Sequence, residues 1–265
     1  MQPRKYALRM ERRHRHGTGG GEHFTGYGAM ALAFQSGDVV ALHRLTASSA
    51  GPPFVELWHR TPDGHWTFHS SVDRRRSVAR YFANTAADVR CDDIEMRWTD
   101  GSALAVTARR ARIRLALRLA GSPAANAASV LAGLVPESVW SLPTAARATR
   151  ALVGAIMGVG PLPFSGTTDA GHTFHVRPLR LWRVAGAVCV LAGRDPGPLA
   201  ALHDVSVPAG MTLSTAPIFM AASVQFRQGA ERGTPAPSRD ALLASLIQYG
   251  RIIGRPGTDT GSQRP

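Results

Sequence analysis

The chain has 265 residues, 44% of them apolar, two cysteines and a formal net charge of +13. That length suits one large β domain or two small ones, and the apolar share excludes wholesale disorder. Two cysteines with no zinc spacing exclude a disulfide framework and a Cys/His metal cluster.

No apolar run follows the basic N-terminus, and no stretch of about 18 apolar residues occurs. Neither a secretory signal nor a membrane span is therefore expected, and the default compartment is the cytoplasm. Of the 31 basic residues one, Lys5, is lysine, and Ala, Gly and Pro are abundant. This is the residue usage of a GC-rich genome, so part of the charge is compositional. A field this positive still attracts polyanions non-specifically.

Residues 1–21 are basic, end in Gly19-Gly20-Gly21 and lack periodicity; they read as a disordered tail. A single β-rich domain is expected over 22–227. Val39–Thr46 is a β run. Val55–Arg60 and His65–Ser70 flank Thr61-Pro62-Asp63-Gly64, a four-residue hairpin loop with strong turn chemistry. If Arg60 pairs with His65, His59 faces Trp66, and Val55, Leu57, His59, Trp66, Phe68 and Ser70 share one face. Glu56 then lies across from His69 on the other.

Ile94–Trp98, Ala103–Thr107 and Ala111–Leu119 read as further strands. In the last, Ile113, Leu115, Leu117 and Leu119 alternate with polar residues, the mark of a half-buried antiparallel strand. The period then changes. Pro123–Leu134, with Ser122 as cap, and Thr144–Met157 read as helices of an insertion over 122–158. Gly171–Arg177 and Leu179–Leu191 read as a hairpin or bent pair, and Ile218–Phe226 closes the set. Residues 228–265 read as a tail with one helix over 238–253, apolar on the side of Leu242, Leu246 and Tyr249. The expected fold is mainly β with inserted α: an antiparallel calycin-like barrel or curved sheet with a two-helix insertion.

In that frame His59 is a lone imidazole on an apolar face. It is either a ligand-facing group or a core histidine bonded to a neighbour. Glu56 opposite His69 is either an acid/base or metal pair or a solvated charge pair. Arg74-Arg75-Arg76 is either a grip for phosphate or carboxylate or an exposed loop. Arg80 sits beside Tyr81 and Phe82 and needs an acidic partner if buried, with Asp92, Asp93 and Asp195 as candidates. Both cysteines read as buried thiols. Neither a nucleophile elbow nor a nucleotide-binding glycine loop is present.

The segments around Gly26-Tyr27-Gly28, Phe34-Gln35-Ser36-Gly37, Trp58-His59-Arg60-Thr61-Pro62-Asp63-Gly64-His65-Trp66 and Ala79-Arg80-Tyr81-Phe82 resemble an uncharacterised protein family of actinobacteria. That resemblance covers most of the core and implies no catalytic residue. Members often carry cysteine before the Ala-Arg-Tyr-Phe run, where this chain has Val78. The strand plan is also similar to lipocalin-type barrels of the carotenoid-hydratase and tocopherol-cyclase group. That likeness implies an apolar pocket, with isomerase, cyclase or hydratase chemistry on a hydrophobic metabolite.

The expectation is thus a barrel holding a small apolar ligand, without cofactor or metal. His59, Trp66, Arg80, Tyr81, Trp98 and Trp182 are its candidate ligand-binding residues. The alternatives are an arginine-rich polyanion-binding protein and an interaction or scaffold protein.

Overall fold

At the centre of the fold lies a strand that sequence periodicity hides. β1 (Glu22–Ala33) is rich in glycine and alanine, yet it pairs along its length with β2 (Val39–Ser48) on one side and β11 (Ile218–Arg227) on the other. The computed structural model describes residues 1–12, 20–82, 88–135, 143–160, 162, 164–201 and 214–228. The expected helix over 238–253 and the segment 136–142 between the two inserted helices lie outside these residues.

From β2 the sheet continues through β3 (Phe54–Arg60) and β4 (Trp66–Ser70) to β5 (Asp88–Cys91). From β11 it continues through β10 (Thr173–Val190), β8 (Ile113–Ala120) and β7 (Ala103–Ala108) to β6 (Ile94–Trp98), and β9 (Ser165–Thr167) pairs with β10. All pairings are antiparallel except β4 with β5, which is parallel. The whole is a strongly curled half-barrel with helices inserted, mostly β as expected.

The insertion consists of α2 (Pro123–Leu134) and α3 (Pro143–Met157). Ser122 caps α2, its Oγ accepting from the Ala125 amide at 3.0 Å. No helix among the described residues is long and apolar enough to cross a membrane.

Two departures from expectation have local causes. The expected pair over 171–191 is one bent strand, β10, with register shifts at Pro178/Arg180 and Val184/Gly186. Pro178 has no N–H to give the ladder, so a bulge lets the strand pass it without breaking. The hairpin between β3 and β4 has a longer loop than expected. The Thr61 amide donates to the His65 carbonyl at 2.9 Å, and Gly64 takes a positive φ of 93°. His65 therefore belongs to the loop, and Arg60 pairs with Trp66. One residue of slip turns every β4 side chain to the other face.

Strand parity gives the sheet an inner and an outer face. On the inner face, Val55 and Leu57 of β3 share one core with Ile94, Met96 and Trp98 of β6, although these strands stand in opposite wings. This is the side toward which the sheet curls. It is filled: Leu32, Leu42, Leu104, Leu115, Leu117, Trp182 and Phe219 pack there with Ala7 and Met10.

Ala7 and Met10 belong to α1 (Pro3–Arg12), a helix where a disordered basic tail is expected. Tyr6 packs edge-on against Trp182, with ring centroids 5.6 Å apart. Glu11 anchors the other end. It accepts from Arg44 Nε and Nη2 at 2.9 and 2.8 Å and from the Tyr27 hydroxyl at 2.8 Å. Burial and the Glu11 carboxylate together push the Tyr27 phenol upward, so it stays a donor at neutral pH.

Glu11→Ala removes a bidentate, charge-assisted pair and leaves Arg44 half-buried without its carboxylate. We expect a loss of about 2 kcal/mol in urea unfolding, with faster hydrogen exchange over residues 3–12. Unchanged stability would show that the apolar contacts of Ala7 and Met10 hold α1 unaided.

Candidate functional site

The cavity with the clearest chemistry lies on the outer face. It has a volume of about 120 Å³, and its floor is the middle of the sheet: Phe24, Gly26, Gly28 and Met30 of β1, His43 and Leu45 of β2, and alternate residues of β11 from Ile218 to Phe226. Trp58 of β3 and Phe174 and Val176 of β10 form its sides, and Val78, Phe82, Phe164 and Ser214 stand over it. The space exists because β1 has no side chain at two successive outward positions. A Cβ at Gly26 would fall on the Arg44 carbonyl oxygen, and one at Gly28 on the Leu42 carbonyl oxygen. Only glycine tolerates that approach, and the floor above it is bare backbone.

Among these apolar groups stands one imidazole. His43 packs edge-on against Trp58, with centroids 4.5 Å apart, and its Nε2 lies 2.9 Å from Met30 Sδ. Its Nδ1 has no hydrogen-bond partner among the described residues. The residue keeps some accessible surface, but it lines the cavity. Desolvation pushes its pKa down to about 4, so the ring is neutral at pH 7 and offers one donor and one acceptor.

The roof is held by a buried carboxyl group. Glu56 is 0% exposed and sits beside His43 across the β2–β3 ladder. Its Oε2 accepts from Trp58 Nε1 at 3.0 Å, and its Oε1 accepts from the Val78 amide at 2.9 Å. Ser77 and the Ala79 amide also bond to it. One carboxyl thus joins a side wall, Trp58, to the 3-10 turn Val78–Tyr81 above it. Burial outweighs these donors and raises its pKa to about 7.

The six expected ligand-binding residues do not converge, and none of them lines the cavity. His59 is on the inner face. Its Nε2 lies 2.7 Å from Oδ1 of Asp38, which is 0% exposed and also accepts from Ser36 Oγ at 2.6 Å and from Arg194 Nη2 at 3.3 Å. Burial alone would raise the Asp38 pKa, but the bonds from Ser36 and His59 and the nearby positive charge bring it below the usual range. His59 therefore ties β3 to the β1–β2 turn and to the turn carrying Arg194.

Trp66 is buried on the outer face near the hairpin loop, edge-on to Phe68. Trp98 packs beside Tyr27 and Phe219 in the inner core. Trp182 lies in that core too, donating from Nε1 to the Met1 carbonyl at 3.3 Å. Tyr81 stacks on Phe226 at 3.9 Å between ring centroids. Arg80 lies 4.9 Å from the Tyr81 ring centroid and pairs with Glu22, not with Asp92, Asp93 or Asp195. Asp92 instead accepts from the Arg110 and Ala111 amides, both at 2.8 Å.

The one-residue slip also separates Glu56 from His69. They occupy opposite faces, His69 lies 3.7 Å from Asp92, and no acid/base or metal pair forms. Glu56 is not a solvated charge either. Of the cysteines, Cys189 is buried, its thiol pushed up to about 12 chiefly by burial, whereas Cys91 is exposed. His43 was within reach of the sequence. Val39, Ala41, His43 and Leu45 alternate outward, so the test that singles out His59 applies to it equally.

The raised pKa of Glu56 has a defined sign. The folded state binds the proton more tightly than the unfolded chain between about pH 4.5 and pH 7, so this group's contribution to stability declines as pH rises through that window. Urea unfolding of wild type and Glu56→Gln should diverge by roughly 3 kcal/mol across it, with wild type losing. A difference independent of pH would mean that Glu56 is ionised throughout.

The chain matches no family model, no curated protein and no solved structure, so its function rests on the chemistry of this site alone.

Proposed function

We propose that the protein binds a small, largely apolar molecule carrying one hydrogen-bonding group, in the cavity over Gly26 and Gly28 and beside His43. The observation that carries this reading is a partly open apolar pocket of about 120 Å³ with a neutral imidazole in its wall.

The volume bounds the ligand. Apolar cavities of about 150 Å³ hold a single aromatic ring, so the occupant is one ring or a short branched chain, or such a group projecting from a larger molecule. His43 would meet a hydroxyl or carbonyl on it. Binding is better supported than catalysis, because both Glu56 oxygens already accept hydrogen bonds from the protein. That leaves His43 without an acid or base partner. The inner face, where a lipocalin-type barrel would hold its ligand, is packed with side chains and α1.

The test is thermal unfolding with benzene, phenol, cyclohexanol and short branched alcohols, on wild type and on Ala222→Leu. Ala222 faces the cavity from β11, so leucine fills it. At a hundred times Kd a ligand adds about 2.7 kcal/mol, or roughly 5–10 °C for a domain of this size. We expect that shift in wild type and its loss in Ala222→Leu, with phenol or an alcohol surpassing benzene only while His43 is present. Ala222→Val is the milder substitution should leucine overpack. No shift with any compound in wild type would reduce the cavity to a packing void.

A further inference from the structure

Among the described residues, the outer face of the sheet is covered by the roof segment over β1–β4 and by α2 over part of β10, but nothing covers it on the wing of β8, β7 and β6. The register there places Val188 of β10, Ala116 of β8, Ala105 of β7 and Arg97 of β6 in one row. Val188 is 71% exposed and Ala116 is exposed beside it. Arg114 and Arg118 bracket Ala116 along β8, four residues and therefore about 13 Å apart. Arg183 pairs with Ala120 further along the same face. All four arginines are exposed.

Against them stand Glu95 and Asp100, the latter 3.9 Å from Arg118. Arg97, Arg114 and Arg183 have no ion-pair partner among the described residues. The face is thus a short apolar stripe inside a frame of guanidinium groups, on the convex side of a curled sheet.

We propose that this face docks on the surface of an anionic lipid bilayer. Guanidinium groups pair bidentately with phosphates and carboxylates, which sets the sign of the partner. A second copy of this chain would set arginine against arginine. A nucleic acid would find no aromatic side chain for its bases to stack on, and Val188 would gain nothing against a phosphate backbone. A bilayer surface supplies both parts: anionic headgroups for the frame, and an interface that accepts Val188 and Ala116. The curl turns the stripe outward, so a flat partner reaches it.

The test is co-sedimentation of the full chain with vesicles of phosphatidylcholine, with or without phosphatidylserine, over a salt series. Binding only to the phosphatidylserine vesicles, weakening as salt rises, is the expected result. Each arginine near such a surface contributes about five-fold to partitioning, so the Arg114→Glu, Arg118→Glu double variant should bind more than twenty-fold less. Val188→Asp should also weaken binding. All three sites are exposed, and thermal unfolding verifies that the variants fold.

Labelled duplex DNA and polyglutamate run in parallel. No binding to phosphatidylserine vesicles at low salt would overturn the proposal, as would partitioning that survives the double variant. Equal binding of DNA or polyglutamate, lost in the double variant, with vesicle binding indifferent to Val188→Asp, would also overturn it and mark a plain polyanion surface.

Discussion

The close approach of β1 to β2 governs the rest of the molecule. Where Gly26 and Gly28 pass the carbonyl oxygens of Arg44 and Leu42 there is no room for a Cβ. The central strand of the sheet therefore carries no side chains over the middle of its outer face. Phe24, Trp58, Phe82, Phe174 and Phe226 surround the gap but do not close it. A sheet whose central strand bore valine at both positions would pack flush there, and His43 would be a core residue and not a wall.

The inner face has the opposite history. Its strands supply large apolar side chains from both wings, and α1 lies against them, fixed at one end by Tyr6 on Trp182 and at the other by Glu11 on Arg44 and Tyr27. The pocket therefore lies outside the curl and not within it. That position requires a roof, and the roof is fastened by polar groups: Glu56 to the Val78 amide, and Arg80 to Glu22. A buried carboxyl accepting from several donors is a costly way to join two segments. It fixes one arrangement of Trp58 and Val78, which apolar contacts alone would leave free to slide.

The outer face accordingly meets three environments along one sheet. The centre is roofed and hollow, part of β10 lies under α2, and the β6–β8 wing, uncovered by any described element, is framed by arginines. Strand alternation serves all three. In β8 the inward positions are leucine and isoleucine, while the outward ones are arginine and alanine, because no element among the described residues covers them. In β11 both faces are largely apolar, because both are covered.

What the sequence alone determined were the elements whose pattern is local: the alternation of β8, the Pro-Asp-Gly turn, the Ser122-Pro123 start of α2, and a β class with an inserted helical pair. Three features escaped it for physical reasons. β1 is hidden because its glycines answer to a neighbouring backbone, a contact absent from any one-dimensional pattern. α1 is hidden because a basic ten-residue helix is not stable alone, and its order comes from the inner core and the Glu11 clamp. The β3–β4 register turned on whether the loop held four or five residues, a hydrogen bond from Thr61 to His65 that composition does not encode. That one residue turned Trp66, Phe68 and Ser70 to the outer face with Trp58 and Glu56, and His69 to the inner face with Leu57 and His59. Tertiary structure therefore decided where the site is, since a cavity is a property of what several strands fail to fill together.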